Sequence, residues 1–288
     1  MRILLLGLVA GSIYSLSAVA LVIVYRATGV LNFAQGSVGM LATFTFISAA
    51  GHQPVVLALV YALIVAGVLG VVLGLLTGIL AEHRLEATVL TLGALGLLQA
   101  LAQVIFGGRP VAVATNLFPT GALQIAGAFI GKDEVIAAAL ALAICGGVIA
   151  LVSRTPIGLI ARAVASRPQV VATLGLDERP VLIVSWVVAS VLAAAAGLFL
   201  LTVQPAPDTV SLTLTVIDSF AAALVGRLVS LPGALIGGLV IGILQQAAEL
   251  GLGVPGAGEA AVFAAMIILL TLLPPRPVRG AVGAAASL

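Results

Sequence analysis

Between Arg26 and Glu82 the only side chains that can titrate are His52 and Tyr61. A stretch of that length without charge has no solvated face to offer water. Its two apolar runs, parted by the turn Gly51-His52-Gln53-Pro54, fit a bilayer instead, where a spanning helix needs about 20 apolar residues. The rest of the chain follows: 62% of its 288 residues are hydrophobic, 8% are charged and the mean hydropathy is +1.33. That leaves too little polar surface to cover a water-soluble globule. The runs are apolar all round rather than alternating, which excludes a transmembrane barrel and leaves helices, whose backbone hydrogen bonds close within the segment. The expected fold is all-α, a polytopic transmembrane helical bundle of about 8-9 membrane segments.

Apolar runs and turn residues place spans near Ile3 to Val24, Val30 to Ala49, Val55 to Ala81, Ala87 to Phe106, Val135 to Val152, Val181 to Val203, Gly233 to Leu250 and Ala260 to Leu273. A more polar segment, Ser211 to Val229, crosses or enters and stops partway. The first run resembles a signal peptide, with Arg2 ahead of it and the triplet Ala18-Val19-Ala20. It exceeds an ordinary signal core of about 7–15 residues and leads into further membrane sequence, so it reads as an uncleaved first span. One transmembrane domain over residues 1–288 is expected, with an external loop at 107–134 and a basic loop at 153–180.

That basic loop carries Arg154, Arg162, Arg167 and Arg179 in an otherwise almost charge-free chain. The positive-inside rule puts it in the cytoplasm, where it reads as a docking surface for a soluble partner. Alternation then places Glu82 to Glu86 inside and the 107–134 loop outside. Arg26 falls inside and the N-terminus outside if Val30 to Ala49 is a full span; a re-entrant segment there would flip the first helix. The net charge of +2 and pI of 9.1 follow from these loop arginines and imply no nucleic-acid partner.

No catalytic residues are expected. Lys132, the only lysine, follows Gly131 but has no earlier glycine at the phosphate-loop spacing and no Ser or Thr after it, and no HExxH, GxSxG or GxGD-like aspartate pair occurs. His52 and His83 fall in turns at opposite faces, and Cys145, the single cysteine, reads as a packed core thiol. Neither a metal nor a cofactor is expected. Small residues recur at helical spacing at Gly7 and Gly11, at Gly67, Gly70, Gly74 and Gly78, at Gly233 and Gly237, and at Gly238 and Gly242. In lipid such faces let helix backbones approach closely.

Two polar stripes lie within the apolar sequence. Asn32, Gln35, Gly36 and Gly39 fall at i, i+3, i+4 and i+7, and Ser211, Thr215, Asp218, Ala222 and Gly226 continue a second stripe. Uncharged polar and small groups on one helix face suit a solute path, and they equally suit hydrogen bonding that holds helices together. An acid such as Asp218 in a membrane segment is a functional candidate by default.

At these residues the sequence resembles the inner-membrane permeases of branched-chain amino-acid ABC importers. The resemblance rests on three blocks in order: Gly7 to Leu16 with Val24-Tyr25 and Leu31-Asn32-Phe33-Ala34-Gln35-Gly36; Thr155-Pro156-Ile157-Gly158 with Arg162 to Ala165 and Leu174-Gly175-Leu176; and Phe220 to Gly226 with Leu231 to Gly238. The first block is closer to the first of the family's two permease types. The resemblance implies one of two membrane subunits, the other a related permease or a second copy, working with two cytoplasmic ATPases and an extracytoplasmic solute-binding protein in the cell inner membrane. It makes Pro156, Gly158, Arg162, Arg167 and Gly175 the coupling segment. Asn32, Gln35, Gly36, Gly39, Ser211, Thr215 and Asp218 become its translocation path. Gln35 stands where the family usually has histidine, and Arg227 where it commonly has glycine. The cargo stays open among branched-chain or related amino acids, urea and short amides. A passive channel for a small neutral solute is the alternative from another class.

The topology has a direct check. In a Cys145→Ala background, a cysteine introduced at Gln169 is expected to react with an impermeant thiol reagent from the cytoplasmic side only, and one at Thr115 from the outside only. Reversed accessibility would overturn the orientation.

Overall fold

The structure, a computed structural model, describes residues 2–80, 83–107, 110–111, 117–125, 128–155 and 179–272. In chain order these form α1 (Arg2–Thr28), α2 (Gln35–Ala50), α3 (Val55–Ile79), α4 (Arg84–Phe106), the strands β1 (Ala122–Ile125) and β2 (Ala128–Gly131), α5 (Lys132–Arg154), α6 (Arg179–Leu200), α7 (Thr209–Val225), α8 (Leu231–Leu252) and α9 (Ala257–Leu272). Among the described residues six helices are long and apolar enough to cross a membrane, α1, α3, α4, α5, α6 and α8, and α7 and α9 are shorter apolar helices. The molecule is thus a multi-pass helical membrane bundle. Its outer helices turn Ile64, Val68, Leu97, Val104, Ile267 and Leu272 outward, an apolar surface suited to lipid or to another membrane subunit.

α1 is apolar on every face because it is enclosed on every face. From Val9 to Val24 nearly all of its residues are buried. On one side it meets α8 backbone to backbone. A Cβ placed on Gly11 would lie 2.7 Å from the Gly238 carbonyl oxygen, and one on Gly7 would lie 2.7 Å from the Ile243 Cα. A Cβ on Gly238 would collide with Ser15, and one on Gly242 with Gly11. The Ser15 hydroxyl bonds the Leu235 carbonyl across this seam at 2.7 Å. Pairing 7 with 243 and 15 with 235 makes the two helices antiparallel. α3 uses the same device against α6. Gly70 faces Val187 and Ser190 and Gly74 faces Trp186, whereas a Cβ on Gly67 or Gly78 would meet nothing within 4 Å. Of the four glycines in that register, two serve packing inside this chain. α5 buries its own small stripe, Ala137, Ala141 and Cys145.

The second membrane segment differs from its expected form. Rather than a helix from Val30, the chain leaves α1 at Thr28, passes Gly29 with φ +71°, and becomes helical only at Gln35. With 16 residues, α2 rises about 24 Å, short of the roughly 30 Å apolar core of a bilayer. It starts beside Ser17, midway along α1, and runs parallel to α6, Gly39 facing Ala193 and Gly197 facing Thr43. The non-helical residues before it climb the first half of the membrane. Residues 30–50 together pass from the Arg84 end of the bundle to the other.

The other boundaries follow ordinary turn chemistry. Asp208 caps α7 by accepting from the Val210 and Ser211 N–H groups at 2.8 and 2.7 Å, with Ser211 completing a capping box. Ser230 caps α8, accepting from the Gly233 N–H at 3.0 Å, with Pro232 in the first turn. α7 and α8 reverse through Arg227 and Leu228, at φ 53° and 60°. That left-handed conformation is the one glycine takes without steric cost, which accounts for a glycine preference where this chain has Arg227. Within the 107–134 segment β1 and β2 form an antiparallel hairpin, Ala122 opposite Gly131, the one departure from helix among the described elements.

Charge separates along the bundle. Arg26, Arg84, Arg154 and Arg179 close α1, open α4, close α5 and open α6, all at one end, with Glu86 in the first turn of α4 beside them; Gly29, just past α1, lies against the Arg84 side chain. The opposite end carries Asp133, Glu134, Asp208, Glu249 and Glu259 with Lys132 and Arg2.

The glycine seam predicts a contrast. Gly11→Leu or Gly238→Leu is expected to destabilise the protein by about 1–3 kcal/mol through overpacking, read as a lowered melting temperature in detergent or nanodiscs. Gly67→Leu, pointing into open space, is expected to leave the melting temperature within about 2 °C of the parent. Equal loss at all three positions would refute the seam.

Candidate functional site

The polar interior begins at the break before α2. Leu31 to Phe33 are not helical, so their backbone groups need partners from elsewhere. Thr91 of α4 supplies them. Its hydroxyl lies 2.8 Å from both the Leu31 carbonyl and the Thr88 carbonyl of its own helix, which share its one proton, and accepts from the Phe33 N–H at 3.2 Å. Ser37 then donates to the Leu95 carbonyl at 3.0 Å, and Phe33 stacks on Phe220 of α7 with ring centroids 4.7 Å apart. α4 therefore holds the broken segment open while α7 packs over it.

Gln35, the first residue of α2, is 1% exposed and donates through Nε2 to the Ser17 carbonyl at 2.6 Å and the Ser17 hydroxyl at 2.8 Å. Among the described residues its Oε1 has no partner, and neither does the buried Oδ1 of Asn32. Gly36 lets α2 approach α7 until a Cβ would collide with the Thr213 carbonyl, and a Cβ on Gly39 would lie 2.8 Å from the Ala193 carbonyl. Gln35, Gly36 and Gly39 thus face a constriction of about 20 Å³ closed by Tyr14, Ser17, Ala193, Gly197 and Thr215. That is room for about one water molecule.

A wider cavity of about 420 Å³ adjoins it, the two sharing Tyr14, Leu200 and Thr215. Its polar wall consists of Tyr14, Gln204, Ser211, Thr215, Asp218, Gln245 and Glu259, contributed by α1, the α6–α7 connection, α7, α8 and α9. Apolar Leu214, Val262 and Phe263 complete it. The Gln204 amide donates to the Ser211 hydroxyl at 3.0 Å. Thr215 returns its hydroxyl to the Leu212 carbonyl at 2.6 Å.

Of the residues singled out from sequence, Gln35, Gly36, Gly39 and Thr215 therefore meet at the constriction, and Ser211, Thr215 and Asp218 line the wide cavity. Asn32 departs from expectation. It precedes the helix instead of sharing a face with Gln35, and it lines neither space. Gly226 ends α7 as its cap residue rather than extending its stripe. Ser211 serves the capping box as well as the cavity. Pro156, Gly158, Arg162, Arg167 and Gly175 lie outside the described residues. Ser17, Gln204, Gln245 and Glu259 were not legible as site residues. Each is a single polar group in an apolar or loop context, and only the convergence of five elements joins them.

An amphiphilic cavity among the helices of a membrane bundle, narrowing to a water-sized neck, suits the passage of a small solute. The family model of the branched-chain amino acid transport system permease component matches residues 3–271, and the chain belongs to that family. Its similarity to curated relatives is low in identity and long in reach. It is 26% identical to the high-affinity branched-chain amino acid transport system permease protein BraD of Pseudomonas aeruginosa, over 83% of each chain. It is 27% identical to the probable branched-chain amino acid transport permease protein LivH of Methanocaldococcus jannaschii, over 83% of this chain and 78% of that one. With LivH of Escherichia coli K12 it shares 25% identity over 93% and 92%. Among solved structures, a chain of PsaBC from Streptococcus pneumoniae, in complex with Fab, has a TM-score of 0.50 at 13% identity, covering 96% of this chain and 93% of that chain, a likeness of fold alone. The relatives are transport permeases, and this chain is a transporter subunit rather than an enzyme.

The Thr91 bridge can be tested by deletion of one hydroxyl. Thr91→Val, nearly isosteric, is expected to cost about 1–3 kcal/mol by orphaning a buried carbonyl and N–H, and to speed amide exchange at Phe33. Thr91→Ser is expected to retain both bonds and parent stability. Indistinguishable behaviour of the valine and serine variants would remove Thr91 from this role.

Proposed function

We propose that this chain is the membrane-spanning subunit of an ATP-driven importer for branched-chain or related amino acids, in the cell inner membrane. The observation that carries the proposal is the family membership over residues 3–271 joined to a polar cavity whose lining, Gln204, Ser211, Gln245 and Glu259 among it, lies toward the end of the bundle opposite the arginines. The positive-inside rule makes the arginine end cytoplasmic, so the cavity faces the side from which a solute-binding protein would deliver. The water-sized neck beneath it then stands as the closed gate of an outward-open state.

In this reading a second permease, related or identical, pairs with this chain and two ATPases dock on the cytoplasmic face. The link is the 153–180 segment, with Pro156, Gly158, Arg162, Arg167 and Gly175. The segment runs directly into α6, and α6 supplies Ala193, Ala196, Gly197 and Leu200 to the neck. A push on α6 therefore acts on the gate without an intermediate element. The names of the relatives, which specify branched-chain amino acids, support that cargo class.

Two measurements test the proposal. Proteoliposomes holding this chain with its ATPases, its permease partner and a binding protein are expected to accumulate labelled leucine, isoleucine or valine only with ATP inside the compartment bearing the ATPases. Uptake without ATP would replace the importer by a channel. Arg162→Glu with Arg167→Glu is expected to insert normally and to reduce uptake at least about tenfold by placing like charges where a docking surface needs positive ones. Normal uptake with wild-type recovery of the ATPases in the double variant would dissociate the loop from coupling.

A further inference from the structure

We propose that the wide cavity is a subsite for a positively charged nitrogen on the transported solute, with Asp218 and Glu259 as its counter-charges. The inference rests on the transport reading above and specifies what the cavity takes. Asp218 sits on α7 and Glu259 in the first turn of α9, and both carboxylates line the same void. Asp218 lies close enough to Glu259 to feel its charge. Asp218 is only 9% exposed, yet among the described residues its carboxylate has no hydrogen-bond donor and no basic partner. Among the described residues no lysine, arginine or histidine lines the cavity.

Two like charges facing one low-dielectric space repel each other, and a cation entering between them relieves both. The rest of the polar wall consists of amides and hydroxyls, which can donate or accept and so impose no opposing sign. A metal ion fits poorly. Among the described residues no three carboxylate, imidazole or thiol groups converge, and a hard cation takes about six to eight oxygen ligands. The volume of about 420 Å³ suits a small organic solute instead. An ammonium group offers three donors that two carboxylates from different helices can share, with Leu214, Val262 and Phe263 left for an apolar tail. A solute bearing only a carboxylate would meet repulsion at the same place.

The test uses three solutes with one isobutyl tail: leucine, 3-methylbutylamine, which lacks the carboxylate, and 4-methylpentanoate, which lacks the nitrogen. The full chain is reconstituted in lipid nanodiscs at neutral pH with Cys145→Ala and Leu214→Cys, and protection of Cys at that cavity position from a thiol reagent is titrated with each solute. The amine is expected to protect at concentrations at least about tenfold lower than the acid, the worth of one charge-assisted hydrogen bond. Asp218→Asn and Glu259→Gln, made separately, are each expected to collapse that ratio toward one. A ratio taken within one variant does not depend on the yield of folded protein, so a destabilised variant still reports. Equal protection by amine and acid in the parent, or a ratio unchanged in both variants, would overturn the subsite. ATP-driven uptake of leucine is measured separately in the complete assembly. Uptake that persists while the ratio is absent refutes the subsite alone, whereas a ratio that persists while uptake is absent refutes the importer reading.

Discussion

The interior depends on the contact in which α1 and α8 meet with almost no side chain between them. In lipid, apolar helices gain little by hiding from a solvent as apolar as themselves, so close backbone packing decides which helices associate. Gly7, Gly11, Gly238 and Gly242 bring the two axes together, and the Ser15 hydroxyl pins their register at Leu235. That register places Tyr14 and Gln245 on the same cavity wall. Without it α1 could not stand at the centre of the bundle, and neither Ser17 nor Tyr14 would meet the residues they join.

A second constraint follows from bringing polar backbone into the membrane. The chain before α2 runs without helical hydrogen bonds through a region where water cannot compensate, and the Thr91 hydroxyl serves two of its groups at once. Non-helical backbone at such depth is tolerated where protein or a hydrated space surrounds it. The buried acceptors of Asn32 and Gln35 that lack partners lie beside this break. Stability and path are thus in tension at one place. The irregular segment costs order, and it is what leaves an opening beside Gln35 and Gly36 that a continuous helix would fill.

Much of this was legible in the sequence, because membrane helices declare themselves through composition. The uncharged runs, the turn at Gly51 to Pro54 and the helix bearing Ser211 to Asp218 needed only the length of an apolar segment and the position of Gly and Pro. Asp218 was legible as a cavity residue because an acid has few other reasons to sit in such a run. The break at Gly29 to Ala34 was not, since its stability comes from Thr91 on a helix far along the chain and nothing local announces it. Asn32 was consequently assigned to a helical face it does not share. Glu259 escaped notice because it opens its own helix, a position that acidic residues occupy for electrostatic reasons alone. Only the fold turns it toward Asp218.

The glycine seam also limits how this chain can change over generations. A larger residue at position 11 is admissible only if the backbone opposite, at 238, moves away, and that displacement carries the register of Ser15 and Leu235 with it. Neither position can drift alone. Variation at the seam must come as matched changes on two distant stretches of the gene, or not at all. At Gly67 and Gly78 an added Cβ would meet nothing within 4 Å, so each can change alone. Two sets of glycines that look alike in the sequence therefore stand under opposite constraints, one bound as pairs and the other free.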